Sequence, residues 1–394
     1  MKFIDFFAGI GGFRRGMELA GHECVGFCEF DKFATASYIS MHLLTDEQRK
    51  ALKDIPIKKR QKEILKEEYR NGEWYANDIR RVYAGDIPKA DCWCFGFPCQ
   101  DISVAGKQAG FQGNRSSLFF RVMYLIGQLK EEDKPAYLFI ENVKNLLSVN
   151  GGWDFARLLI EMEQGGYDAE WQVLNSKDFG VPQNRERCFI IGHLRGRSSA
   201  EVFPVEGADG KNSVSLNLFG CLNGRNSQRD RVYSDDGLAP TISTKPGGNT
   251  EPKTAIPVLT PDRTEKRQNG RRFKEDGEPM FTLTGQDRHG IAIEVEEATK
   301  RLDTSCNQGI FVKVSDELIV YAVWYEKYQC YIAIRKLTPR ECFRLQGWSD
   351  DYFEKAQFVN SDSQLYKQAG NGVTVTVIEA IARKMKVESV KLRR

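Results

Sequence analysis

Short apolar runs recur along the first half of the chain at intervals that alternate with helix-patterned stretches. The runs at 2–7 (KFIDFF), 24–29 (CVGFCE), 91–95 (DCWCF), 136–141 (AYLFIE), 168–174 and 188–194 (CFIIGHL) predict strands. Stretches 11–20, 31–41, 116–130 and 153–164 carry the helical period between them. Strands alternating with helices at this spacing predict an α/β fold around a mostly parallel sheet, with ligands at the carboxyl ends of the strands. Residues 44–81 interrupt the rhythm with a highly charged, helix-prone segment that has few apolar anchors. It reads as a surface insertion of one or two helices. From about 195 to 330 the chain turns rich in Gly, Pro, Asn, Ser and Thr, with short β-prone pieces. This predicts a second, smaller, irregular β domain. A weak repeat lies within it, Asp236–Thr244 resembling Asp276–Thr284, and predicts two related hairpins. Helical pattern returns over 335–386, so segment 331–394 is expected to rejoin the first domain, 1–194.

Composition narrows the class. The 394 residues are 41% hydrophobic and 28% charged, an ordinary globular balance rather than a disordered one. No apolar run reaches the roughly 18–20 residues of a membrane span, so no membrane association is expected. The start shows no charged head followed by a long apolar run, which predicts a cytoplasmic location. The ten cysteines are scattered and the four histidines form no ligand pair at helical spacing, so no metal site is expected. The net charge of +3 says little, but its distribution says more. Residues 263–274 (RTEKRQNGRRFK) hold six basic residues, either a solvated loop or a surface for phosphates.

Several motifs carry chemistry. DFFAGIGG (5–12) follows a strand and opens a helix, and its glycines let backbone approach a ligand. Glu29 closes the next strand, where an acidic side chain can bind ribose hydroxyls. Arg14 stands where a dinucleotide fingerprint would have its last glycine, which disfavours a nicotinamide oxidoreductase. Gly85-Asp86-Ile87 precedes the strand at 91. GFPCQDIS (96–103) puts Cys99 at a strand end beside proline and polar residues. A lone cysteine is more often a buried small hydrophobe, yet these neighbours argue for an accessible thiol. Glu141-Asn142-Val143 ends an apolar strand, and Gln183-Asn184-Arg185-Glu186-Arg187 places two arginines around a glutamate.

In this order the motifs resemble the C5-cytosine DNA methyltransferase family. Beyond those named, RKLTPRECFRLQGW (335–348) and QAGNGVTV (368–375) continue the match, which spans 3 to 377. The resemblance implies a Rossmann-like S-adenosylmethionine-dependent methyltransferase fold, with the β-rich region as a target-recognition domain. It implies that Cys99 attacks C6 of a flipped-out cytosine, that Glu141 meets the N3/N4 edge of the base, and that Arg185 and Arg187 hold its O2 and nearby groups, in roles left undivided. It further implies a cofactor pocket of Phe7, Gly9 and Gly11 on the methionine side, Glu29 on the ribose and Phe30 on the adenine face. Asp86 and Ile87 would read the adenine edge, Pro98 would lie near the sulfur, and Asn371 and Gly372 would close the pocket. S-adenosylhomocysteine would be the product, and no metal is implied. DNA contacts are expected from Gln100, Ser103, Thr241, Arg263, Arg271, Arg272, Lys274 and Thr282. The family reading makes the chain a monomeric, sequence-specific enzyme of a restriction-modification system or of phage or host DNA protection, with any cognate endonuclease acting separately. A transfer-RNA methyltransferase is the related alternative, disfavoured because its Cys-Phe-Thr element is absent. A catalytically silent DNA-binding module is disfavoured by the presence of Cys99 and Glu141.

Overall fold

The computed structural model describes residues 1–97, 118–197, 201–207, 278–283 and 337–385 in full, together with the backbone of Ser117 and of seven strands between 218 and 336. The first sheet contains β1 (Lys2–Phe6), β2 (Glu23–Cys28), β3 (Trp74–Ala76), β4 (Cys92–Gly96), β5 (Tyr137–Val143), β6 (Tyr167–Asn175) and β7 (Glu186–Leu194). Its order is β3-β2-β1-β4-β5-β7-β6. The first five strands run parallel, and β7 is antiparallel to both β5 and β6. Alternate residues of the central strands enter different cores. Ile4, Phe6, Trp93, Phe95, Leu138 and Ile140 pack on one side of the sheet, and Phe3, Cys92, Cys94, Tyr137 and Phe139 on the other. Burial on both faces is why these strands read as unbroken apolar runs rather than as alternation.

Helices α1 (Gly12–Leu19) and α2 (Lys32–Tyr38) follow β1 and β2. The charged segment supplies α3 (Asp46–Leu52) and α4 (Ile57–Glu63), as its propensity predicts. It also supplies β3, an edge strand of the central sheet, so the segment is not wholly a surface elaboration. Its anchor is polar. The guanidinium of Arg60, 9% exposed, donates to the carbonyls of Leu52, Lys53, Ile55 and Phe358. That tie adds to the few apolar anchors of the segment, Leu52, Ile64 and Ile79, which are buried. Helices α5 (Ser117–Gly127) and α6 (Trp153–Gln164) fall within the stretches patterned for them.

The C-terminal segment contributes α7 (Pro339–Arg344), α8 (Asp350–Gln357), α9 (Asp362–Asn371) and α10 (Val375–Ala382). Its α10 packs against α1. Helix α1 lies close against α10 because Gly12 and Gly16 have no side chains. A Cβ on Gly12 would stand 2.6 Å from Val373, and one on Gly16 2.5 Å from Ile378.

The second sheet runs β8 (Leu218–Cys221), β9 (Arg231–Tyr233), β10 (Lys253–Leu259), β11 (His289–Val295), β12 (Gly309–Lys313), β13 (Ile319–Tyr325) and β14 (Cys330–Lys336). Its order is β12-β13-β14-β11-β10-β9-β8. The β-rich character expected for 195–330 thus takes the form of one sheet whose last strand continues to Lys336. The first copy of the sequence repeat lies outside the described residues. The described part of the second, 278–283, is not a hairpin strand: Met280 forms a single parallel bridge to Gln183.

Candidate active site

Sheet order reverses beside β1, where β2 lies on one side and β4 on the other. A crevice at the carboxyl ends of such strands is where open α/β sheets bind ligands. The glycine-bearing loop leaves β1 here. Phe7, Gly9 and Gly11 all have positive φ, at 54°, 57° and 84°. The amide of Gly9 donates to Glu29 Oε2 at 2.7 Å, and that of Asp31 to Oε1 at 2.7 Å. Glu29 therefore joins the loops after β1 and β2 and still has lone pairs for hydroxyl donors. Burial raises its pKa, against the lowering effect of these two amides. Phe30, next along, is 71% exposed, an unusual state for a large apolar ring. A Cβ built on Gly9 meets nothing within 4 Å among the described residues, so the loop is open on that side to them. An acidic hydroxyl acceptor, a bare aromatic face and an open glycine loop fit an adenosine-bearing cofactor.

Asp86 and Ile87 are the residues expected at the adenine edge. Asp86 is exposed on a short 3-10 turn, and Ile87 packs into the core with Ile4, Phe6 and Trp93. The residues directly past the end of β3 are Asn77 and Asp78 instead. Asp78 is 9% exposed. It borders a depression of about 370 Å³ lined also by Trp74, Asn77, Arg81 and Asp86. The guanidinium of Arg80 pairs with Asp78 at 2.8 Å and holds its carboxyl below the usual range.

Glu141 occupies the end of β5. Its Oε1 lies 3.0 Å from Arg187 Nε on β7, with the two side chains 13% and 17% exposed. Across the β4–β5 pairing Glu141 faces Gly96, and a Cβ there would stand 3.1 Å from Oε2. Asn142, 1% exposed, donates from Nδ2 to the Phe97 carbonyl at 3.3 Å. It thereby anchors the chain one residue before Pro98. Cys99, Pro98, Gln100 and Ser103 lie outside the described residues, as do Thr241, Arg263, Arg271, Arg272 and Lys274.

The structure separates the two arginines that the motif leaves equivalent. Arg187 meets Glu141. Arg185 is 3% exposed and donates to the carbonyls of Leu283 at 2.8 Å and of Gly372 at 2.8 Å, with a longer contact to Gly370. These contacts tie it to the Leu283 and Gly370–Gly372 backbone. Asn371 is exposed, and Gly372 is fixed through Arg185. Thr282 lies beside the same motif. Its hydroxyl donates to the Asn184 carbonyl at 2.5 Å, and the Leu283 amide donates to Gln183 Oε1 at 3.0 Å.

Three more motif residues gain roles that spacing alone did not suggest. Gln346 donates to Ala369 O at 2.7 Å and accepts from Thr374 Oγ1 at 2.9 Å. Thr374 in turn bonds Ser176 Oγ at 2.8 Å, and Gln183 donates to Leu345 O at 2.7 Å. Gln183 and Gln346 are fully buried and Thr374 nearly so, so each polar atom must find a partner inside the fold. Together they fix the Gly370–Val375 loop beside α1. His42 supports the glycine loop from below by bonding Ile10 O at 3.0 Å.

Comparison with known proteins decides the family. The model of the C-5 cytosine-specific DNA methylases matches residues 1–387.

The chain belongs to the C-5 cytosine-specific DNA methylases.

It is 30% identical to the orphan methyltransferase M.SPBetaI of Bacillus phage SPbeta, over 98% of this chain and 97% of that protein. It is also 30% identical to the type II methyltransferase M.HhaI of Haemophilus parahaemolyticus, over 97% and 93%. Among solved structures, the S. pombe Dnmt2 methyltransferase has a TM-score of 0.53 at 14% identity, covering 97% of each chain. That of Entamoeba histolytica EhMeth has a TM-score of 0.51 at 17% identity, covering 98% and 97%. These likenesses bear out the methyltransferase fold. The enzyme is a DNA (cytosine-5)-methyltransferase, and enzymes of this family use S-adenosylmethionine. No helix among the described residues is long and apolar enough to cross a membrane.

Proposed function

We propose that this methylase modifies one cytosine within a defined duplex sequence after rotating the base out of the stack. Burial inside the duplex keeps C5 and C6 out of reach, so extrusion must precede chemistry, at a cost of a few kcal/mol. Cys99, as thiolate, adds through Sγ to C6, and electron density moves toward C5. Glu141 meets the N3/N4 edge and stabilises that density by a proton or a hydrogen bond. Arg187 holds the Glu141 carboxylate in one orientation, and its remaining N–H donors take the base O2. S-adenosylmethionine, when bound, supplies an electrophilic methyl group for C5. Loss of the C5 proton then expels Cys99 and restores the aromatic ring.

The observation that carries this reading is the Glu141–Arg187 pair at the β5 end, adjoining the Phe97 carbonyl that Asn142 ties in place. One carboxylate, one guanidinium and the chain leading to Cys99 therefore converge at the carboxyl end of the β4–β5 pair. For the cofactor, Glu29 takes the ribose hydroxyls and Phe30 offers the adenine a stacking face. Phe7, Gly9 and Gly11 border the methionine end, Pro98 adjoins the sulfur, and Asn371 and Gly372 close the pocket. Asp78, at the carboxyl end of β3, is the better-placed acceptor for the adenine amine, with Asp86 on the rim of the same depression. Arg185 positions the Gly370–Gly372 loop rather than the base.

Residues Gln100, Ser103, Thr241, Arg263, Arg271, Arg272 and Lys274 are assigned to DNA, the basic ones to phosphates. Thr282 pins its segment beside Asn184. The likeness to a phage orphan methyltransferase and to a type II methyltransferase supports a role in DNA protection or restriction-modification, with any nuclease a separate protein. A monomer working on DNA in the cytoplasm suits this role.

The test is a duplex library containing 5-fluorocytosine, incubated with the enzyme and S-adenosylmethionine. Fluorine cannot leave as a proton does, so the adduct should persist and map to Cys99. Cys99→Ala should abolish it. Methyl transfer that survives this substitution refutes the mechanism.

A further inference from the structure

The cofactor reading leaves Arg80 without a task, yet its side chain joins the two groups assigned to adenine. Its Nε donates to Asp78 Oδ1 at 2.8 Å and its Nη2 to Oδ2 at 2.8 Å. Its backbone amide adds a bond to Oδ1 at 3.1 Å. The same guanidinium lies 5.7 Å from the centre of the Phe30 ring. A guanidinium is flat, stacks on aromatic faces and presents N–H donors along one edge. The amine edge of an adenine shares each of these properties. A base stacked on Phe30 with its amine turned to Asp78 would need the contacts that Arg80 already makes.

We propose that Arg80 is a resident competitor in the adenine subsite, a side chain that satisfies Phe30 and Asp78 until the nucleoside displaces it. The inference rests on the cofactor reading above and deepens it. The arginine side chain is 63% exposed, so solvent screens its ion pair and makes it exchangeable. Asp78 is only 10% exposed and stays in place to receive either partner. A binder whose competent state is partly populated shows an affinity reduced by that fraction. Arg80 therefore weakens cofactor and product binding alike. It lets S-adenosylhomocysteine leave without altering the ribose contact at Glu29.

The probe is S-adenosylhomocysteine, titrated calorimetrically into the intact enzyme without DNA. Arg80→Gln keeps a polar side chain but removes the charge and the planar fork. Its dissociation constant should fall about 3–10-fold below wild type, the range for a pocket open about 10–30% of the time. Wild-type affinity should also strengthen as salt rises from about 0.05 to 0.5 M, because screening loosens the competing pair, while R80Q should respond little. Melting curves establish that R80Q is folded. Equal or weaker binding by R80Q overturns the inference alone and makes Arg80 neutral or a clamp on the bound base. Absence of binding by both proteins overturns the cofactor site and the inference together.

Discussion

Replacing Arg185 with methionine tests the division of labour between the two arginines. The guanidinium of Arg185 is almost wholly buried and bonds the carbonyls of Leu283 and Gly372, each at 2.8 Å. Methionine fills similar space but donates nothing. Each buried carbonyl left without its donor costs about 1–3 kcal/mol. Part of that is recovered because the variant no longer keeps a cation in the interior. A net loss of about 2–4 kcal/mol is expected. At roughly 2 °C per kcal/mol for a protein of this size, the melting temperature should fall by about 4–8 °C. Arg187→Met removes a side chain that is 17% exposed and touches a carboxylate at the site's edge. It should melt within about 3 °C of wild type while lowering single-turnover methylation by about 100-fold or more. Thermal melts and rapid-quench methyl transfer on the two variants make the comparison. If Arg185→Met melts like wild type and loses methylation as Arg187→Met does, then Arg185 acts on the base and its assignment as a loop tie is wrong.

Other outcomes follow from the same geometry. Glu141→Gln keeps shape but loses the negative charge facing Arg187, and should cut the methyl-transfer rate about 100–10,000-fold while leaving binding of S-adenosylhomocysteine intact. Glu29→Gln can still accept through one oxygen but not from both the Gly9 and Asp31 amides, and should weaken that binding about 10-fold, as measured by calorimetry. Gly16→Val forces α1 away from Ile378 and should lower the melting temperature by about 4 °C or more, since overpacking costs about 1–3 kcal/mol and frequently more at a helix contact. Burial holds His42 well below the ordinary imidazole range, so the folded protein keeps it neutral where the unfolded chain takes up a proton. Stability from this residue is complete above the unfolded value and is lost as pH falls below it. His42→Gln should flatten the fall in melting temperature between about pH 7 and 5, and an unchanged slope would show that other groups govern acid sensitivity.

Strands buried on both faces announce themselves, which is why β1, β2, β4, β5 and β7 lie where the apolar runs predict. The strand β3 stays hidden because Trp74-Tyr75-Ala76 is three residues long and surrounded by charge. That omission propagates into the site. Asn77-Asp78-Ile79 and Gly85-Asp86-Ile87 are near copies in sequence, and only the end of a strand distinguishes them. Without β3 there is no reason to prefer the earlier one. The arginine pair shows a second limit. Motif spacing gives two cations at i and i+2, but which is buried depends on the C-terminal loop that packs over them. The same holds for Gln183, Gln346 and Thr374, whose partners are 20 to 200 positions away and follow no local period. Glu29 and Glu141 were legible because each ends an apolar run, where a carboxylate has few purely structural uses.

The contact between α1 and α10 also sets a timetable. A ribosome finishes the glycine loop and α1 within the first 19 residues, but the helix that packs on α1 lies beyond residue 374. Throughout the intervening synthesis α1 lacks its packing partner, and the Gly372 carbonyl that Arg185 requires does not yet exist. Prematurely terminated chains should therefore leave DNA unmarked, so that only finished molecules write on the genome.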